Sequence, residues 1–311
     1  MTESENREPR TLLEAVRYFS DPDVALAFVV KLRWPDGKPA CPRCGGLRHS
    51  FLTTRRIWKC RECKKQFSVK VGTIFEDSPL GFDVWLPAIW LVANSKNGIS
   101  SHEMARSLGI TQKSAWFLNH RIRLAMQTGT FAKLDGVIEA DETFIGGKAR
   151  FMHKHIRERK ITGTGGKDKT VVAGIMERGG EVRATVVSNT KGRTLQAGVR
   201  ANVEPGAIIY TDTLRSYSGL DADYVHETVD HAEKYVEGKI HINGMENFWC
   251  LLKRGLHGTY TFAAPFHLFR YLDERMFTFN ERDLNDLGRF IAVVSTVSGR
   301  RLTYAGLIGK N

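Results

Sequence analysis

The stretch VIEADETFI, residues 137–145, decides the fold class of this chain. It is rich in β-branched and aromatic residues, which favour strands. Residues 169–177 (KTVVAGIME) and 181–188 (EVRATVVS) have a similar composition, and the Arg-Gly-Gly at 178–180 is typical of a hairpin turn. A sheet therefore begins near Gly136.

Beyond the hairpin the pattern alternates between helices and strands. The order is a helix from about Thr194, the strands AIIYTD (207–212) and YVHETV (224–229), and the helices HINGMENFWCLLKRG (241–255) and FHLFRYLDERMFTFNER (266–282). This alternation predicts an α/β domain over residues 135–285.

The predicted helix at 241–255 has two distinct stripes. Its apolar residues have the spacing that packs against a core: Met245, Phe248, Trp249, Leu252 and Leu256. The second stripe is polar and consists of Asn243, Glu246, Cys250 and Lys253. A well-packed helix thus presents one carboxylate two turns before a lysine.

The residues outside the α/β domain divide into four segments. They are an N-terminal helical segment (1–36), a cysteine module (37–75), three helices (80–128) and a C-terminal tail (286–311). The N-terminus is polar, unlike a secretory signal, and the longest apolar run, 84–93, is too short to cross a bilayer. We therefore expect a soluble cytoplasmic protein, associated with the nucleoid, with no membrane partner.

Positive charge is concentrated in two segments. The chain of 311 residues has a net charge of +12. Residues 41–70 contain nine Lys or Arg and one acid, and residues 148–169 contain eight and two. Such clusters favour a polyanionic partner, nucleic acid before membrane, although two solvated surface loops are the alternative.

Four of the five cysteines form a Cys-x2-Cys pair at Cys41 and Cys44 and a second pair at Cys60 and Cys63. This spacing is typical of a structural four-thiolate zinc site, with one Zn2+ and no open position for a substrate. The alternatives are two disulfides or incidental cysteines. Eight basic residues of the module can meet phosphates: Arg43, Arg48, Arg55, Arg56, Lys59, Arg61, Lys64 and Lys65.

The segment GISSHEMARSLGITQKSAWFLNHRIR, residues 98–123, resembles a helix-turn-helix with Gly109 at the turn. Its second helix would enter a major groove. The candidate DNA contacts on it are Gln112, Lys113, Asn119, Arg121 and Arg123. The alternative is a helix pair that exists for packing alone.

Three acids carry the candidate chemistry. Asp141 lies within the first strand, Asp212 ends the strand AIIYTD, and Glu246 lies on the helix at 241–255. Acids from two strands and a helix can converge on two divalent ions, which activate water and stabilise a leaving oxygen in phosphodiester chemistry. Taken singly, each acid can be explained as an ordinary surface or turn residue.

In combination, these motifs resemble a known family. The order of zinc ribbon, helix-turn-helix, ADETFIGGK (140–148), YTD (210–212) and HINGMENFWCLLKRGLHGTY (241–260) is similar to that of zinc-ribbon DDE transposases of bacterial insertion sequences, the ISXO-type group. The resemblance extends from about Ser20 to Asp283.

This resemblance implies an RNase H-like mixed-sheet catalytic domain. It implies that Asp141, Asp212 and Glu246 bind two Mg2+ or Mn2+ ions per active site, and that Lys253 contacts the transposon end. Arg254, beside Lys253, is a further candidate DNA contact. The basic segment 148–169 would be a flexible loop, with Gly163, Gly165 and Gly166, that clamps DNA beside the site.

Neighbouring residues leave alternatives to the three acids. Asn243 or Asn247 can fill the third metal position in place of Glu246. We expect strand alternation to place Glu139 and Glu142 opposite Asp141, which would exclude both from the triad. His153 and His155 are either metal ligands or, as we favour, part of a solvated loop.

The resulting hypothesis is a transposase that cuts double-stranded DNA at the ends of its element and joins the ends to target DNA. Because two ends must be paired, we expect a homodimer or a higher oligomer on DNA. The first alternative is a DNA-binding regulator with a zinc ribbon, a helix-turn-helix and an inert RNase H-like domain. The second is a nuclease that cuts but never joins strands.

Overall fold

The computed structural model describes residues 8–127, 132–147, 152–161, 163, 168–229, 241–261 and 263–310. The chain forms two compact units, one of Met1–Gln127 with Glu281–Asn311 and the other of Thr128–Asn280. Across the described ranges, no helix is both long and apolar enough to cross a bilayer.

The first unit combines helices with a small sheet. Its helices are α1 (Leu12–Phe19), α2 (Pro22–Arg33), α3 (Phe82–Asn94), α4 (Ser101–Leu108), α5 (Gln112–Ala125), α10 (Asp286–Ser295) and α11 (Tyr304–Leu307). Its strands β1 (His49–Leu52), β2 (Ile57–Cys60) and β3 (Gln66–Phe67) form an antiparallel sheet in that order. The three helices predicted over 80–128 are confirmed as α3, α4 and α5.

Side-chain caps explain where several of these helices begin. Asp21 accepts hydrogen bonds from the first turn of α2, and Ser100 and Thr111 do so for α4 and α5. Gly109 ends α4 with a φ of 65°, which a glycine adopts without steric cost. The sequence pattern treats 286–311 as a tail, but α10 packs on α3 through Phe290 and Trp90, whose ring centroids are 5.2 Å apart.

The second unit is built on a mixed five-stranded sheet. Its elements are β4 (Val137–Ile145), α6 (Lys154–Lys160), β5 (Thr170–Glu177), β6 (Val182–Val187), α7 (Gly192–Asn202), β7 (Ile208–Asp212), β8 (Val225–Val229), α8 (Asn243–Arg254) and α9 (Leu268–Asn280). The strand order is β6-β5-β4-β7-β8. The pairs β4–β5 and β5–β6 are antiparallel, whereas β4–β7 and β7–β8 are parallel.

Both faces of this sheet carry a hydrophobic core. One core contains Ile138 and Ala140 of β4 with Leu195 and Val199 of α7. The other packs α8 and α9 against Val172 and Met176 of β5. Strand β4 lies in the middle of the sheet, between β5 and β7.

Part of the basic segment 148–169 is helical. The prediction of a flexible loop is wrong for Lys154–Lys160, which form α6. Lys148, Gly165 and Gly166 lie outside the described residues. The exposed rings of His153 and His155 are stacked with their centroids 6.0 Å apart.

Candidate functional site

The four cysteines of the first unit come together as a metal-binding cluster. Their sulfur atoms all lie within 4.8 Å of one another. The Sγ atoms of Cys41 and Cys63 are 3.7 Å apart, and those of Cys44 and Cys60 are 3.6 Å apart. A tetrahedral zinc ion with bonds of about 2.3 Å requires edges of about 3.8 Å. A disulfide would bring two sulfurs to about 2.05 Å, so the cluster is a structural zinc site.

The basic residues of this module differ in their partners. Arg48 forms an ion pair with Glu62, and Arg56 forms one with Asp23. Arg55 donates to Gln66 and Arg61 to Ser50. These bonds fix four side chains on the surface of the ribbon, whose remaining predicted phosphate contacts are Arg43, Lys59, Lys64 and Lys65.

Asp141 and Asp212 lie on neighbouring parallel strands. The register of β4 and β7 pairs Val137 with Ile208 and Glu139 with Tyr210. Carried two residues further, it brings Asp141 level with Asp212. Level residues of neighbouring parallel strands project to the same face, with the strands about 4.8 Å apart. The sheet therefore brings two acids near one another that are far apart in the sequence.

Glu246 reaches the same region from α8. The apolar stripe predicted for this helix is confirmed, because Met245, Phe248, Trp249 and Leu252 are all buried. Glu246 lies on the exposed stripe, and its charge raises the pKa of Asp141. Asp212 and Glu246 are thus both near enough to Asp141 to affect its carboxyl, although the three carboxylates do not all come within 4.8 Å of one another as the cysteine sulfurs do.

Two carboxyls of the site have raised pKa values. The pKa of Asp141 is raised to about 6, chiefly by burial and also by the charges of Asp212 and Glu246, while hydrogen bonds from Glu142 and Trp249 oppose the rise. Burial also raises the pKa of Glu142 to about 7, assisted by the charges of Asp212 and Asp141. Within the described ranges, neither Asp141 nor Asp212 forms an ion pair. Half-buried hard-oxygen donors without a cationic partner suit a divalent cation.

The acids beside Asp141 occupy opposite faces of β4. Glu142 faces away from Asp141, as expected, and accepts a hydrogen bond of 3.0 Å from the Tyr217 hydroxyl. The prediction for Glu139 is wrong, because residues two positions apart on a strand share a face. Glu139 is 1% exposed, pairs with Arg178 at 2.8 Å and accepts the backbone N–H of Met245.

Two residues beside Asp141 were not among the predicted site residues. Trp249, read as a packing residue only, donates its indole N–H to Asp141 Oδ2 at 2.9 Å. Gly174 lies opposite Asp141 in the β4–β5 register, where a Cβ atom would come within 2.7 Å of the Trp249 ring. Both had a signal: a buried tryptophan N–H needs a partner, and a glycine inside a strand marks a close approach.

Three of the predicted DNA contacts on α5 are buried. Asn119, Arg121 and Arg123 are 2%, 4% and 2% exposed. Asn119 donates to the carbonyl of Ile99, and Arg121 donates to the carbonyls of Leu302 and Glu76. The prediction that these three side chains contact DNA is therefore wrong. They lie on the inward face of α5 and anchor it within the first unit.

The remaining predicted DNA contacts lie on accessible surfaces. Gln112 and Lys113 are exposed in the first turn of α5. In the second unit Lys253 is half-buried, and Arg254 is exposed with its guanidinium 3.9 Å from Cys250 Sγ. Lys253 and Glu246 belong to the polar stripe of α8, so both face away from the core.

Comparison with known proteins finds a family match in each of the two units. A family model described as an ISXO2-like transposase domain matches residues 133–280, and one described as a transposase zinc-ribbon domain matches residues 20–66. An uncharacterized transposase-like protein of Haemophilus influenzae is 35% identical over 105 residues, which cover 33% of this chain and 85% of that protein. The chain belongs to the ISXO2-like transposases.

A second relative of this ISXO2-like transposase covers more of the chain. It is an uncharacterized protein in transposable element ISH50 of Halobacterium salinarum, 26% identical over 248 residues, which cover 75% of this chain and 82% of that protein. The matched zinc-ribbon segment contains all four cysteines of the cluster. The matched transposase segment contains Asp141, Asp212 and Glu246 and ends at residue 280, where the second unit ends.

Proposed function

We propose that this transposase cleaves double-stranded DNA at the ends of its element and transfers the freed strands into target DNA, using divalent metal ions. The observation that supports this proposal best is that Asp141 and Asp212 lie on neighbouring parallel strands, while α8, which carries Glu246, is hydrogen-bonded to Asp141 through Trp249. Burial and the charges of neighbouring acids raise the pKa of Asp141, whose ionised form a bound cation would favour.

The sheet of the second unit supports an RNase H-like assignment. Its first three strands form an antiparallel meander, the fourth strand pairs in parallel with the first, and the fifth pairs in parallel with the fourth. The candidate acids lie on the first strand, at the end of the fourth strand and on a helix after the fifth. In this fold the central strand and its parallel neighbour present side chains at the carboxyl edge, where ligands bind.

Each residue of the site has a distinct role in this proposal. Asp141, Asp212 and Glu246 would hold two Mg2+ or Mn2+ ions. When bound, such ions supply an activated water and stabilise the departing 3′ oxygen. Lys253 would hold a DNA phosphate beside the acids. The 3′ hydroxyl released by hydrolysis then attacks a target phosphodiester, so one bond forms as another breaks and the protein forms no covalent intermediate.

DNA would be held by surfaces of both units. We propose that α4 and α5 act as a helix-turn-helix whose contacts are Gln112 and Lys113 in the first turn of α5. Phosphates would also be bound by the remaining basic residues of the zinc ribbon, Arg43, Lys59, Lys64 and Lys65, and by Arg254 beside Lys253. Pairing of two element ends calls for at least a dimer on DNA.

The test is cleavage and joining of labelled DNA from either side of this gene with Mg2+ or Mn2+. We expect Glu246→Gln and Asp141→Asn to reduce both reactions by on the order of 10³-fold, the loss typical of an essential catalytic group. Glu227→Gln, which changes an exposed acid on β8, is the matched control. Asn243→Ala tests the competing third ligand, and its activity should remain close to that of wild type.

Three outcomes would contradict the proposal or part of it. Wild type that binds the DNA but cuts it with neither metal would favour a DNA-binding regulator. Cutting without joined products would favour a simple nuclease. Loss of cleavage in Asn243→Ala but not in Glu246→Gln would move the third metal position to Asn243.

A further inference from the structure

Helix α8 is attached to strand β4 at two points. The backbone N–H of Met245 donates to Glu139 Oε2 at 3.0 Å, and the indole N–H of Trp249 donates to Asp141 Oδ2 at 2.9 Å. The donors are four residues apart on the helix, and the acceptors are two residues apart on one face of the strand. Four helical residues rise about 6 Å and two strand residues about 6.6 Å, so the bonds hold the two elements in a matched register.

The first attachment replaces a missing cap. Ile242, at the N-cap position of α8, makes no side-chain hydrogen bond to the helix. Glu139 supplies the acceptor from the neighbouring strand and places a carboxylate at the positive end of the helix. Arg178 pairs with the same carboxylate at 2.8 Å and donates to the carbonyl of His241, just before the helix begins. The start of α8 is thereby fixed to β4.

The second attachment requires close packing of α8 on the sheet. A Cβ atom on Gly174 would come within 2.5 Å of Met245 Cε and 2.7 Å of the Trp249 ring. One on Gly244 would come within 2.8 Å of Glu139 Oε2. Glycine at both positions lets the helix approach until the indole N–H reaches Asp141. Trp249 is then 4% exposed, and its N–H points to a carboxylate rather than to solvent.

Both oxygens of Asp141 have one donor from the protein. Oδ1 accepts the backbone N–H of Glu142 at 2.8 Å, and Oδ2 accepts the indole N–H of Trp249. A carboxylate oxygen has about two acceptor positions, so each retains one for a further partner. The two donors therefore fix the orientation of the carboxylate and leave both oxygens able to bind a cation.

We propose that Trp249 is a positioning residue of the transposase, which orients Asp141 and sets the register of α8 that brings Glu246 to the same site. The proposal rests on the function proposed above. A slip of α8 by one residue would rotate Glu246 by about 100° and shift it by about 1.5 Å. Trp249 lies three residues after Glu246, and its hydrogen bond to Asp141 opposes that slip. Glu139 opposes it at the other end of the same turn.

The test compares binding of Mn2+ by zinc-loaded full-length variants, with free Mn2+ measured by electron paramagnetic resonance. Trp249→Phe removes the N–H and part of the ring. Replacement of Trp249 by benzothienylalanine removes the N–H and keeps the shape of the indole. We expect both to weaken Mn2+ binding by about 10-fold or more, as loss of a bond that orients a metal ligand does. We also expect a lower kcat for DNA cleavage with an unchanged KM for DNA.

Two controls separate positioning from packing and from the metal site itself. Phe248→Leu removes buried volume from the adjacent residue of α8, which is 1% exposed, and should lower the melting temperature without weakening Mn2+ binding. Asp141→Asn should abolish the tight Mn2+ binding of wild type.

The outcomes distinguish this inference from the proposed function. Tight Mn2+ binding that Asp141→Asn abolishes but the benzothienylalanine variant retains would overturn the positioning role and leave the transposase mechanism standing. If Phe248→Leu weakens Mn2+ binding equally, Trp249 acts through packing alone. Absence of tight Mn2+ binding in wild type would overturn the metal site and, with it, the positioning role.

Discussion

The zinc site of the first unit and the acid cluster of the second unit gather their ligands over very different lengths of chain. Two tight turns between Cys41 and Cys63 bring together four sulfurs, all within 4.8 Å of one another. The acids extend from Asp141 to Glu246 and meet only through the register of β4 with β7 and the seating of α8. Local spacing specifies the first cluster, whereas the second depends on packing that many other residues maintain.

The strongest way to break the local cluster is to remove one thiolate. We expect Cys60→Ser to lose most of its bound zinc and the folded structure of residues 37–75, because a ribbon this small depends on its metal for stability. Zinc content and hydrogen exchange of this segment would measure both effects. Cys250→Ser changes the exposed cysteine of α8 and should retain one zinc per chain. Full zinc retention in Cys60→Ser would contradict the four-thiolate site.

The packed cluster should be broken by one added methyl group. We expect Gly174→Ala to lower the free energy of unfolding by about 1–3 kcal/mol, because the new Cβ overlaps Met245 and Trp249. Trp249 is the single tryptophan of residues 128–280, so changes in its environment report on α8. Gly198→Ala on α7 is the matched control, since its Cβ meets nothing within 4 Å. Equal melting of wild type and Gly174→Ala would show that α8 does not need this glycine.

Burial and charge crowding at the acid cluster predict that the stability of the second unit depends on pH. The pKa of Glu142 rises from 4.5 to about 7 on folding, first through burial and then through the charges of Asp212 and Asp141. Between these values the folded chain holds a proton that the unfolded chain releases, so the free energy of unfolding falls as pH rises. Urea unfolding without divalent metals, followed by hydrogen exchange of β4, would measure this fall.

The variant Glu142→Gln sharpens that measurement. The variant lacks this ionisable carboxyl. We therefore expect its free energy of unfolding to fall by about 1–2 kcal/mol less than that of wild type between pH 5 and pH 8, after allowance for solvent screening. Asp141, whose pKa rises from 3.8 to about 6, keeps part of the slope in this variant. Glu227→Gln on β8 is the exposed control. An unchanged slope in Glu142→Gln would contradict the burial of that carboxyl.

The smallest expected effect is at a turn of the zinc ribbon. Lys64, directly after Cys63, has a φ of 59°, and Gly45, directly after Cys44, has a φ of 74°. We expect Lys64→Gly to stabilise the ribbon by about 1 kcal/mol, because glycine adopts this left-handed conformation without steric cost. The control Lys65→Gly should be neutral or destabilising. A lower melting temperature for Lys64→Gly would contradict the strain at this turn.

Comparison of the two clusters also explains which predictions from sequence succeeded. The hairpin at 178–180 and the apolar stripe of α8 follow local spacing, and both were predicted. Arg121 and Arg123 were assigned to the wrong face of α5, because an arginine on a mainly polar helix gives no local sign that distant carbonyls will bury it. Glu139 was misplaced by an error in strand alternation.

The sequence by itself determined the zinc ligands and the strand and helix types, because each depends on residue type and short-range spacing, and its resemblance to a known family nominated the three candidate acids. Tertiary structure alone decided that Asp141 and Asp212 lie on neighbouring parallel strands, that Trp249 donates a hydrogen bond to Asp141 and that Glu139 caps α8. The physical reason is that these contacts depend on strand order and on the approach of a helix to a sheet. Both are set by burial and steric fit between segments that are distant in the chain.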